Sequence, residues 1–363
     1  MKLTLTNYTC LLIAGIVLTI CSFTACNNDP VSNLQDEEIV SLLVANEGNW
    51  SDGNGSITSY DPESGQAVQE KFEQVNGRPL AAIIQSVVLS GDRLFIIANN
   101  TDKIEVTDAQ TLESLGTITF DNDLTPAGFA LFTESKGYIS DLYNHSVAVV
   151  DLESYEVAET RIDVGNNPQA MVVAGNRLYV ANNGFGEDNT VSVINTGTDE
   201  VTATIETGAG PVQLSPDNQG RIWVVSNGKK AYDEDWNRDP ENDVHGQIDV
   251  LNGTTEEVIA TIETGGFPRA LALSEETGRG WVVNEEAVQL IDLNNYELLD
   301  EAFIDRSFNG IGLSPVENRL YLAHSRGFTQ AGQAITYDLE GAAVDSFQTG
   351  IAPKEFLFRV EEN

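Results

Sequence analysis

The side chains best suited to chemistry in this chain are its histidines and one acidic run. His145, His245 and His324 are the only imidazoles. An imidazole can ligate a metal, serve as a general base or contact a corrinoid or haem edge. No two stand at the His-x-x-x-His spacing of a local zinc motif, so polar loop histidines without a shared task are the plainer reading. Asp235, Asn237, Asp239 and Glu241 alternate oxygen ligands of the kind Ca²⁺ accepts. No glycine follows Asn237 and the bidentate Glu of an EF-hand is missing, which favours a solvated or lid-like loop, and no metal is expected. A catalytic reading would make His324 a base beside Glu285 or Glu286. Without a local Ser-His-Asp arrangement, phosphate loop or dinucleotide fingerprint, a non-enzymatic protein is expected.

The aromatic residues point to binding. Trp50, Tyr143, Phe185, Tyr232, Trp236 and Phe328 fall in polar, Gly- and Asn-rich connections. Arg78, Phe267, Arg269 and Phe308 lie at the entries to innermost strands, near the expected central channel. Exposed aromatics offer flat apolar area with few rotors to freeze, while Arg and Asn fix orientation. With the three histidines, these residues form a candidate ligand-binding face for a large, partly flat ligand with polar edges, or for a protein loop. The alternative is that the aromatics fold back to cap the core.

A repeat must position them. In Arg177–Ser215 short β-branched runs at 178–181, 191–194 and 201–205 alternate with Asn/Gly/Asp/Thr clusters, and a Gly-Pro corner leads into a fourth run. The unit recurs with a period of about 40 residues, the signature of a four-strand propeller blade. Second strands begin near Leu42, Arg93, Gly137, Arg177, Arg221, Arg279 and Arg319, giving seven copies. No segment carries a sustained helical period. The predicted fold is all-β, a seven-bladed β-propeller of four-stranded blades. The first copy lacks an innermost strand, and Glu355–Val360 is one strand too many. The C-terminal strand is therefore expected to close the ring in the first blade, removing exposed sheet edges. Connections between second and third strands share one face with those leading into innermost strands, and the long insertions 46–54, 182–189, 227–246 and 324–332 collect there.

Residues 1–25 read as a lipoprotein signal peptide, with Lys2 ahead of an apolar core at 11–20 and small residues before Cys26. Residues 26–39 read as a lipidated Cys26 and flexible tether, and 40–363 as one propeller domain. Cys10 and Cys21 fall in the signal, leaving no disulfide in the mature chain. The balance of 56 acidic against 19 basic residues, a net charge of −37, argues against nucleic acid and against an anionic lipid surface. Membrane association is expected through the lipid anchor alone.

The repeat resembles the YVTN family of propellers, with its YncE-like members, through Tyr179-Val-Ala-Asn182, Thr190-Val-Ser-Val-Ile194, Thr204-Ile-Glu-Thr-Gly208 and Pro211. Ala260-Thr-Ile-Glu-Thr-Gly265 and Pro268 repeat them. The opening Leu43-Val-Ala-Asn-Glu-Gly48, with Asn76-Gly-Arg-Pro79 and the lipobox, is similar to Bacteroidetes surface lipoproteins of the BtuG type. That resemblance implies an outer-membrane protein, lipid-anchored and facing outward. Its ligand would be cobalamin or another corrinoid, captured beside a TonB-dependent transporter. Propellers of the streptogramin-lyase kind imply the enzymatic alternative, and an envelope protein-interaction platform is the third reading.

Overall fold

Each second strand is an almost unbroken apolar run because both of its faces meet a neighbouring blade. Leu94–Ala98 and Leu178–Asn182 are buried throughout. The outermost strands read differently: Glu200–Glu206 and Glu257–Glu263 carry Glu at both ends and are mostly exposed. In the computed structural model, which describes residues 37–80, 83–120 and 124–362, these strands build seven four-stranded sheets. Blade one combines Glu37–Asn46, Ser56–Asp61 and Gln66–Val68 with the C-terminal Pro353–Glu362 as its innermost strand. Blades two to seven follow at 84–119, 126–163, 168–206, 211–263, 270–304 and 310–351.

Seven buried apolar clusters lie one in each gap between neighbouring blades. The core is thus distributed around the ring. The closing gap is filled by Leu42, Val44, Tyr60, Tyr321 and Phe347, with Phe356 and Phe358 packed against them. Tyr60 stacks on Phe347 at 3.9 Å. Closure is as expected: Leu42 pairs with Phe358 and Val44 with Phe356. The first strand begins at Glu37, opposite Glu362, so the last residues of the expected tether belong to the ring. The signal segment and Cys26 lie outside the described residues.

The two faces are built by different rules. Every third strand ends in Asp or Asn, and that side chain accepts the backbone N–H groups of the turn that follows. Asp61, Asp108, Asp151, Asn195, Asn252, Asp292 and Asp338 all do so. These are Asx turns, in which a short polar side chain replaces a backbone acceptor. Hydrogen bonds from Ser64, Thr111, Ser154 and Asn294 hold Asp61, Asp108, Asp151 and Asp292 below the usual carboxylate range. On the same face the first residue of a second strand reaches the next blade's turn. Arg93 donates to the Leu152 carbonyl, Lys136 to Asp199, Arg177 to Glu256 and Arg221 to the Tyr296 hydroxyl.

One short helix departs from the all-strand reading. Lys71–Asn76 follows the outermost strand of blade one and buries Phe72 in the gap to blade two. Six residues are fewer than two helical turns, too few for a 3.6-residue period to show in the sequence.

Candidate functional site

The connections between second and third strands carry all six exposed aromatics of the described residues: Trp50, Tyr143, Phe185, Tyr232, Trp236 and Phe328. Trp236 is 83% exposed and Trp50 65%. The other large exposed apolar residues are aliphatic, and all but Val244 sit on outermost strands. Neighbouring connections join into a crown. Tyr143 and Phe185 lie 6.4 Å apart across blades three and four. Lys229 pairs with Glu187, and Lys230 with Glu285. The Asn49 side chain donates to the Phe328 carbonyl at 2.8 Å, bridging blades one and seven. Beneath, Asn99, Asn183 and Asn227 donate to the carbonyls of Pro126, Pro211 and Pro268, tying each connection to the next inner strand.

The backbone holds two of these rings outward. Phe185 has φ 53° and Trp236 φ 62°, left-handed conformations that bulky side chains rarely adopt. Such positions cost about 1–3 kcal/mol each and persist where the surroundings enforce them. Tyr232 and Trp236 lie 6.4 Å apart on the longest loop, with Arg238 over the Tyr232 ring and paired to Asp243.

Three expected face residues lie elsewhere. Phe267 and Phe308 are buried, 5% and 1% exposed, and act as plugs. Phe308 joins the core between blades six and seven, and Phe267 is covered by His245 edge-on and by Lys230. A ring in the Gly- or Asn-rich entry to an innermost strand reads as loop, yet that entry turns the side chain back under the crown. Arg78 is the third. The connection leaving blade one coils into the Lys71–Asn76 helix, which carries Arg78 to the outer side of blade two. There it meets Glu105 at 2.6 Å and Ser114 at 3.2 Å, with its guanidinium over Phe72.

The histidines are kept apart. His145, at φ 52°, accepts the Asn167 amide on Nδ1, and His324 stands edge-on to Phe308. Burial, together with Arg306 and Arg326, pushes His324 below its usual range against the hydrogen bond that its ring donates to the Ser307 backbone. Glu285 is taken up by Lys230. In the acidic loop, Asn237 donates to Asp233 and Asn242 to Asp239. No group of three His, Cys, Asp or Glu among the described residues gathers as a metal would need.

Below the crown the inner strands enclose a channel cavity of about 320 Å³. Its lining takes Gln85, Ala127, Gln169, Val212, Arg269, Asn309 and Lys354, one position from every blade, at the loop-face end of each inner strand. Of these, Arg269 alone was an expected site residue. The next position is small in Ser86, Gly128, Ala170, Ala270 and Gly310, because the strands nearly touch. A Cβ on Gly310 would sit 1.8 Å from the Lys354 carbonyl oxygen, and on Gly128 2.1 Å from that of Gln169.

Two larger side chains occupy that second position and do the same work. Gln213 accepts the Leu271 amide at 2.8 Å and donates to its carbonyl at 3.0 Å. Glu355 accepts the Val87 amide at 2.9 Å. Part of Glu355 opens to the channel, but protein surrounds it, and burial pushes its carboxyl up against the pull of Lys354 and the Val87 amide. The sequence signal for this ring is the residue after the corner proline, as in Pro168-Gln169, Pro268-Arg269 and Pro353-Lys354.

The sequence profile of the domain of unknown function DUF5074 matches residues 41–232, more than half of the chain. No curated protein matches in sequence. Among solved structures, the chain is similar to a quinonprotein alcohol dehydrogenase-like protein from Bacteroides thetaiotaomicron. The identity is 13% and the TM-score 0.66, over 87% of this chain and 78% of that one. Hydrazine synthase of Kuenenia stuttgartiensis is 19% identical with a TM-score of 0.57, over 71% and 77%. The Pan2 WD40 domain of Neurospora crassa is 11% identical with a TM-score of 0.58, over 78% and 82%. At these identities the likeness is one of fold.

Proposed function

The chain belongs to the DUF5074 family, whose function is unknown, and we propose that it is a non-enzymatic binding protein that captures a ligand on its aromatic loop face. One observation carries this reading: all six exposed aromatics of the described residues stand on a single face of a rigid ring. Aromatic area held outward at a backbone cost favours recognition over stability. A corrinoid suits such a surface, being broad, apolar on its faces and rimmed by polar groups. The resemblance of the repeat and the lipobox to BtuG-type lipoproteins supports the same ligand class. Cys26 would carry the acyl chains at the outer membrane, and a TonB-dependent transporter would take the ligand on. Glu37, the first described residue, starts its strand on the face opposite the crown. The engagement of Glu285 with Lys230 disfavours a His324–Glu285 catalytic pair.

Calorimetric titration of the detergent-solubilised full chain with cyanocobalamin tests the proposal. One-to-one binding that weakens in Trp50→Ala supports it. No heat change together with no rise in melting temperature removes the corrinoid.

A further inference from the structure

An unopposed cation sits inside a strongly acidic protein. Arg269 lines the channel, and no hydrogen bond or ion pair reaches its guanidinium among the described residues. Its Nε is enclosed and unpartnered. Four other arginines, Arg78, Arg177, Arg221 and Arg238, each meet a carboxylate. With a net charge of −37, carboxylates are plentiful, yet among the described residues none pairs with Arg269. An enclosed N–H without a partner is costly, and a half-buried guanidinium that no carboxylate has claimed is left to pair with an arriving anion.

The structure assigns the loop-face end of the central channel as a site for an anionic oxygen group, a carboxylate or a phosphate, gripped by Arg269. The guanidinium fork matches the paired oxygens of either group. Lys354 adds a second positive charge to the lining; its Nζ donates to the Gln85 carbonyl at 2.9 Å and keeps further donors. The one carboxyl in the lining, Glu355, is occupied by the Val87 amide, and burial favours its neutral form, which lowers its repulsion of an anion. A cavity of about 320 Å³ admits a small anion or the anionic end of a longer molecule. This site stands apart from the identity of any ligand on the crown.

The test titrates the detergent-solubilised full chain with inorganic phosphate and, separately, with succinate. Saturable one-to-one binding of either probe is expected, and which one binds identifies the source. Arg269→Gln should weaken it about tenfold or more, the usual loss for a charge-assisted hydrogen bond. Arg269→Lys should fall between, keeping the charge but losing the fork. Arg161→Gln, on an outermost strand, should change nothing. No saturable binding of either probe, or binding indifferent to Arg269→Gln, overturns the assignment. If Arg269→Gln fails to fold, crystals of the unaltered chain grown with selenate decide. An anomalous peak within hydrogen-bonding reach of Arg269 supports the site, and no peak in the channel overturns it.

Discussion

The two faces of the ring use polar and aromatic residues for opposite ends. On the turn face, Asp and Asn at the end of every third strand bond their own turn, and basic residues starting second strands reach the next blade. Polar groups there are consumed by the fold. On the loop face, aromatic rings stand in solvent, two of them at φ values that cost energy. In the channel below, the guanidinium of Arg269 has no partner among the described residues. The turn face is thus organised for stability, and the loop face keeps its interactions in reserve.

The largest expected effect tests whether both faces depend on one ring. Deleting residues 356–363 removes most of the innermost strand of blade one and opens the gap filled by Phe356 and Phe358. Cooperative thermal unfolding should be lost at both faces together, seen in calorimetry. A deletion variant that kept the parent's melting temperature would show that the faces do not need the closed ring.

A pair of variants then sets one face against the other. Trp236→Ala should leave stability within about 0.5 kcal/mol, as for an exposed residue, while cobalamin affinity falls about tenfold or more. Asn195→Ala strips the acceptor from the Gly197 and Thr198 amides and should lower stability by about 1 kcal/mol with affinity unchanged. Denaturant unfolding and calorimetric titration of both variants make the check. The reverse pattern would dissolve the distinction between the faces.

The smallest effect concerns Glu355, at the border. Its folded-state carboxyl is pushed up, so its contribution to stability is complete below the ordinary Glu range and is lost as pH rises through the raised value. Glu355→Gln keeps the acceptor for Val87 and copies what Gln213 already does for Leu271. The variant should melt about 1–3 °C above the parent at pH 8 and level with it at pH 4, measured by scanning calorimetry. Equal melting at both pH values would mean that Glu355 carries no charge penalty.

Strands and closure were legible because each blade repeats the same solvation problem. A second strand pressed between two blades must be apolar throughout, and Leu94–Ala98 shows this directly. Closure was legible as arithmetic: one copy lacked a strand and Glu355–Val360 had no other partner. The crown aromatics were legible because rings amid Gly and Asn have no apolar run to join. Phe267 and Phe308 were misplaced because a corner can turn a ring inward or outward, and only the ring's geometry decides. Arg78 was misplaced by the short helix ahead of it. Lys354 and Glu355 were hidden because their channel exists only when seven separate strands converge.

Closure by the Pro353–Glu362 strand also gives the ring a mechanical direction. A pull on the chain ahead of Glu37, resisted at the crown, runs along the Glu37–Asn46 strand. Its ladders to Ser56–Asp61 and Pro353–Glu362 lie across that line. The hydrogen bonds then share the load in parallel, and none gives way alone. Drawing Glu37 and Glu362 apart from each other loads the same ladder one pair at a time, from its end. The ring is strong toward a tether and weak toward a zipper.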